Sequence, residues 1–155
     1  MIRLSTKLRT NLAGTTGFAA TFANGVIDIY SGTQPASADL APTGTKLGRF
    51  TLASGTFTAG NTLNGLTFAT AADGAVSKSG LWSLSGGVAV GTAGWFRLLT
   101  NAGADDVSDD SSAKLQARLD GSIATSGADL NLSNLRITLT SPVTVDSFVW
   151  SQPAY

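Results

Sequence analysis

The spacing of hydrophobic positions changes once along the chain. Leu4, Leu8 and Leu12 recur every four residues, which places them in one stripe on a helix. Ser5 or Thr6 supplies its N-cap and Gly14 its end. A second short helical turn follows, with Thr16 as cap, Phe18 and Phe22 on one face, and Asn24-Gly25 as its close. From Val26 onward the period falls to two. The run VIDIY opens the β region, because its β-branched and aromatic residues favour a pleated, half-buried surface. Further strands are predicted over 47–53, 55–58, 66–70, 81–84, 88–90, 95–100, 114–119, 130–132, 135–140 and 143–150.

Turn signals separate these runs at Asn64-Gly65, Asp73-Gly74, Gly86-Gly87 and Asp120-Gly121, at spacings expected for hairpins. Leu135, Ile137 and Leu139 alternate with Arg136, Thr138 and Thr140, the pattern of a half-buried antiparallel strand. In the last strand Val143 and Val145 differ in parity from Phe148 and Trp150, so a bulge near Asp146-Ser147 is needed to turn all four inward. Thr33 to Thr45 carries two prolines and reads as a long surface loop or a partly helical excursion. The expected fold is all-β, an antiparallel β-sandwich of jelly-roll-like character with a short N-terminal helix. It forms one domain over 1–155, with a helical arm at 1–24 and the sandwich at 25–155.

Composition narrows the function. Charged residues make up 13% of the 155 residues, against roughly 25% in an average soluble chain. Ten basic residues balance ten acidic ones, all of them Asp. A surface this neutral lacks the self-repulsion that keeps monomers apart, which fits either an assembling subunit or a secreted Ser/Thr-rich β domain. The chain has no cysteine, so disulfides, zinc-thiolate sites and thiol nucleophiles are excluded. It has no histidine either, which removes the commonest general base and any Ser-His-Asp mechanism. The opening MIRLSTKLRTNLAG gathers no apolar core of signal-peptide length, and no stretch approaches the ~20 apolar residues of a membrane helix. A soluble protein made in the cytoplasm is expected, with no membrane partner. The scattered basic residues leave no footprint for nucleic acid.

The candidate chemistry is sparse. Asp105, Asp106, Asp109 and Asp110 are weak candidates for calcium ligation, but their spacing does not fit an EF-hand loop and no Glu is present, so they read as a solvated loop. Asp28, Asp120, Asp129 and Asp146 are the candidates for a glycosidase carboxylate pair, with no cleft to unite them. Trp82, Trp95, Trp150 and Tyr30 could stack on sugar rings, although they lie in apolar runs that need core residues. Gly91 to Gly94, GTAG, lacks the lysine of a phosphate loop and reads as a turn. No catalytic residue, cofactor or metal is assigned. Leu4, Leu8 and Leu12 either cover one end of the sandwich or dock onto a neighbouring subunit. With Pro35, Leu40 and Pro42 they form the candidate assembly interface.

Three sets of residues carry a family resemblance. They are MIRLSTKLRTNLAGTTGF at the start, ANGVIDIYSGTQPASAD with the later TGTKLGRFTL, and GTAGWFRL followed by RLDGSIATSGADLNLSN. In this order and spacing they resemble a family of small virion proteins of tailed bacteriophages. The resemblance implies a non-enzymatic capsid decoration or cement protein, or alternatively a tail or connector subunit. It further implies a homo-oligomer, with a trimer favoured, bound to the major capsid protein or other virion proteins, and a place in the virion. The rival readings are a carbohydrate-binding module and a glycan-cleaving enzyme.

Overall fold

A computed structural model of the chain describes residues 1–106 and 114–152. In chain order its elements are β1 (Arg3–Leu4), α1 (Thr6–Ala13), α2 (Phe18–Thr21), β2 (Val26–Tyr30), β3 (Lys46–Leu52), β4 (Thr67–Phe68), β5 (Ala75–Ser79) and β6 (Trp82–Leu84). They continue with β7 (Gly91–Thr92), β8 (Trp95–Leu99), β9 (Arg118–Ala124), β10 (Leu130–Leu132), β11 (Arg136–Ile137) and β12 (Val143–Ser151).

The helix predicted at the N-terminus forms over Thr6–Ala13 and carries Leu8 and Leu12, while Leu4, read as part of the same stripe, lies before it in β1. Ser5 Oγ accepts from the Leu8 N–H at 3.2 Å, and the Asp39 carboxylate accepts from the Thr6 N–H at 2.8 Å. Two of the N–H groups that α1 itself cannot satisfy are thereby capped. Gly14 ends it, donating to the Thr10 carbonyl. The second helix is capped by Gly17 rather than Thr16, with no side-chain bond. Its Phe18 and Phe22 rings meet at 5.0 Å. No helix among the described residues is long and apolar enough to cross a membrane.

The β region is all-β as expected, but it is not a jelly-roll sandwich. Strands β9, β8, β2, β3, β6 and β12 follow one another antiparallel, and β10 pairs antiparallel with β12 and parallel with β9. This last pairing closes a seven-stranded mixed barrel, which removes the open edges two separate sheets would leave. The physical reason lies in the segment between β9 and β10. Its Ser126 to Asp129 stretch looks like a hairpin turn, which would reverse the chain. Instead the chain loops through Gly127, at a left-handed φ of 72°, and returns with Leu130 beside Ile123 in the same direction. Asp129 fastens the loop, its Oδ2 accepting from the Ser122 N–H at 2.8 Å and from Ser122 Oγ at 2.7 Å.

Asp120-Gly121, predicted as a turn, is the middle of β9. Gly121 faces the ring of Phe96 across the strand pair, and a Cβ there would lie 2.6 Å from it. The Asp73-Gly74 signal does form a two-residue hairpin, with Ala72 and Ala75 exchanging both backbone hydrogen bonds. It leads into β5, which the sequence pattern missed. No strand forms over 55–58 or 88–90, and the alternation at 135–140 yields only the two residues of β11, paired to β7 in the stretch read as a turn. The bulge predicted in β12 is present, since Asn131 opposes Ser147 and Leu132 opposes Val145, skipping Asp146. Val143, Val145 and Phe148 are buried, and Trp150 packs half-buried against the core.

The barrel interior is a single apolar cluster built from Ile27 and Ile29 of β2, Phe50 of β3, Phe96 and Leu98 of β8, Leu119 of β9 and Phe148 of β12. Alternation sends the neighbouring residues of β2, β8 and β9 to the outer wall. That wall is also covered, so every residue of β2 and β8 is buried.

Two outcomes test this packing. Gly121→Ala forces a methyl against the buried Phe96 ring and lowers unfolding stability by about 1–3 kcal/mol, read as a shifted urea midpoint with unchanged slope. The Asp129 carboxyl is opposed by burial, but its bonds from Ser122 and the nearby Met1 amino group hold it below its ordinary value. A lowered folded-state pKa stabilises above the unfolded value and is lost as pH falls through the folded one. Asp129→Asn is therefore less stable than the parent at neutral pH, and the gap narrows below about pH 4; stability curves across pH check it.

Candidate functional site

Charged residues interrupt the apolar runs that form the covered outer wall, one each in β2 and β8 and two each in β3 and β9, and the strand registers align four of them with Arg3 of β1 into a row. Arg49 of β3 lies opposite Asp28 of β2, and Asp28 lies opposite Arg97 of β8. Arg97 in turn lies opposite Asp120 of β9, and Asp120 opposite Arg3 of β1. The result is a row of five alternating charges crossing five strands. Asp28 is 2% exposed and Asp120 is fully buried, and acids so deeply placed require paired, hydrogen-bonded partners.

The partners are present. Arg97 donates from Nε and NH2 to the two oxygens of Asp120 at 2.7 and 2.8 Å, a fork that matches carboxylate geometry. Asp28 accepts from Arg49 Nε at 2.6 Å, from Arg49 NH2 at 2.9 Å and from Lys46 Nζ at 2.7 Å. Burial pushes the Asp120 carboxyl above its ordinary value, while Arg97, Arg118 and Arg3 pull it back. Burial also opposes the charge on Arg49, but Asp28 and Asp105 outweigh it and hold that guanidinium above its ordinary value.

The row also holds the loops that cover it. Arg49 reaches Asp105 at 2.7 Å and the Ala104 carbonyl at 3.0 Å, and Arg118 donates to the Asp106 carbonyl at 3.3 Å. At the other end Arg3 donates to the carbonyls of Gln34 and Pro35. Trp95 stacks on Tyr30 at 4.5 Å, donates to the Thr43 carbonyl at 3.3 Å and lies under the Arg97 guanidinium. Between these loops remains a trough of about 210 Å³, with Asp28, Arg97 and Arg118 among its lining and Tyr30, Pro42 and Leu99 as apolar walls.

The residues singled out in the sequence take definite places. Asp28 and Asp120 do enter one site, but Arg97 stands between them in the row and each is bound to a guanidinium. Asp129 is committed to Ser122, and exposed Asp146 accepts from Thr144. Asp105 is ion-paired to Arg49, and Asp106 accepts from Gln116 at 3.0 Å; Asp109 and Asp110 lie outside the described residues. No group of three or more metal-ligating side chains occurs among the described residues. Trp82 and Trp95 are buried, Trp150 stacks on Phe18 at 4.5 Å, and Tyr30 is taken up by Trp95. The four therefore form no flat exposed platform.

Of the proposed assembly residues, Leu8 and Pro35 are buried, Leu4 and Leu12 are half-buried against the core, and Pro42 lines the trough. Leu40 alone of the six is exposed, at 43%. The basic members of the row were missed. Of these only Arg97 had a signal, as the lone charge inside the apolar run WFRLL, like Asp28 in VIDIY. Compared with protein-family models, curated proteins and solved structures, the chain matches none.

The row makes a graded prediction. Asp28→Asn leaves Arg49 short of its main partner in a buried setting and lowers stability by about 3–5 kcal/mol. Lys46→Met removes a partner that is itself 37% exposed and lowers it by less than about 1 kcal/mol. Chemical denaturation of both variants checks the order.

Proposed function

We propose that this chain is a non-enzymatic structural subunit of a tailed-phage virion, acting as a decoration protein that binds the outside of the shell. One observation carries the reading. The stretches that resemble the phage family contain every member of the charge row: Arg3, Asp28, Arg49, Arg97 and Asp120. In this chain those motifs close a barrel wall and fasten its loops. Their charges stabilise one another, which suits a scaffold under mechanical load better than a site that must exchange protons.

A decoration subunit works by adding contacts across the seams of a shell, so that disruption must break them as well. Each contact can be modest when many copies act together. The Pro-containing loop is the place for such a contact, because it presents Leu40 to solvent while Asp39 and the carbonyls of Gln34 and Pro35 anchor it to the N-terminal segment.

Shells of a phage encoding the chain, prepared with its gene deleted, provide the test. The chain co-sediments with them and raises the temperature at which they rupture. Leu40→Asp weakens that binding at least about tenfold, or 1.4 kcal/mol, with the melting temperature of the free protein unchanged. Binding to isolated tails but not to shells moves the assignment to a tail or connector subunit. Indifference to both, with retention on a polysaccharide column, replaces it with the carbohydrate-binding reading.

A further inference from the structure

We infer that the N-terminal segment 1–13 is an exchangeable arm, able to make the same contacts on a second copy of this chain that it makes on its own barrel. The inference goes beyond the virion reading and does not depend on it. Its first basis is where the arm is held. Arg3 and Leu4 pair with Asp120 and Leu119 of β9. Ser5 Oγ donates to the Gln116 carbonyl at 3.0 Å and accepts from the Arg118 N–H at 2.9 Å. Thr6 gives both its N–H and its hydroxyl to Asp39 at 2.8 Å, and Leu8 is wholly buried in the core.

The polar contacts join positions 31 to 113 residues apart in sequence, so none depends on which chain supplies the arm. The second basis is the connector. Gly14, Thr15, Thr16 and Gly17 are all exposed, and their backbone bonds run inward to the flanking helices, from the Gly14 N–H to Thr10 and from the Thr21 N–H to Gly17. Because the connector lies between α1 and α2, the bond from Asn11 to Thr21 at 3.3 Å is also reproduced in the exchanged form. Only the connector changes conformation, and four extended residues reach about 13–14 Å. Exchange at low concentration is opposed by the entropy of association, and packing copies side by side removes much of that opposition.

The test removes the option of folding back. Deleting Thr15 and Thr16 leaves every docking residue in place but makes the connector too short for α1 to reverse onto its own barrel. The expected product is a folded dimer of twice 15.7 kDa or a closed ring, seen by light scattering. Its connection is read with cysteines, since the chain has none of its own. Chains carrying only Thr6→Cys and chains carrying only Asp39→Cys are unfolded together, refolded and oxidised, and exchange gives a disulfide-linked pair on a non-reducing gel. The same mixing with the full-length connector, at rising protein concentration, gives a linked fraction that grows with concentration. A folded monomer from the shortened chain overturns the proposal. If the shortened chain does not fold, the full-length mixture decides: no linked pair at any concentration overturns it, and a growing linked fraction sustains it.

Discussion

The closed barrel depends on placing charge on strands that are buried on both faces. Its strands β2 and β8 are buried on both faces, apolar toward the interior and covered by loops on the outside. Asp28 and Arg97 on that covered face are tolerable only because adjacent strands bring opposite charges into register. The row from Arg49 to Arg3 is thus a constraint on strand order and on register together. A slip of one residue between β2 and β3, or between β8 and β9, would turn a charge into the apolar interior and break the ion pair that joins those strands.

From this row the remaining structure follows outward. Arg49 and Arg118 draw the 104–106 loop onto the wall, and Arg3 ties the Pro-containing loop to the N-terminal strand. Asp39, in that same loop, caps α1. The helix therefore docks where the loop is anchored, and the loop is anchored where the row ends. Protein assembly and exchange of the arm, as proposed, both act through this one region of the molecule, in which Leu40 points outward and Leu8 inward.

Local features were legible in the sequence, and long-range ones were not. The caps at Ser5 and Gly14, the strand VIDIY, the hairpin at Asp73-Gly74 and the bulge at Asp146 each follow from a few adjacent residues. The Asp120-Gly121 pair misled for the same reason. Its local meaning is a turn, while its actual cause is two neighbours on β8: Phe96, which leaves no room for a Cβ, and Arg97, which needs a carboxylate. Barrel closure was hidden because it rests on a two-residue parallel pairing that no local pattern marks. The charge row was hidden because its ion-paired members lie 21 and 23 residues apart, and nothing in the local pattern links one to the next.

The most direct test of the central constraint is a double-mutant cycle across the innermost pair, with Arg97→Met, Asp120→Leu and the double variant compared by equilibrium unfolding. If the wall is organised by that pair, each single change strands a buried charge and costs about 3–5 kcal/mol. The double variant, apolar on both sides, then recovers most of the loss, with a coupling energy above about 2 kcal/mol. Additive single costs, with no coupling, would show that Arg97 and Asp120 do not depend on each other and would contradict the account.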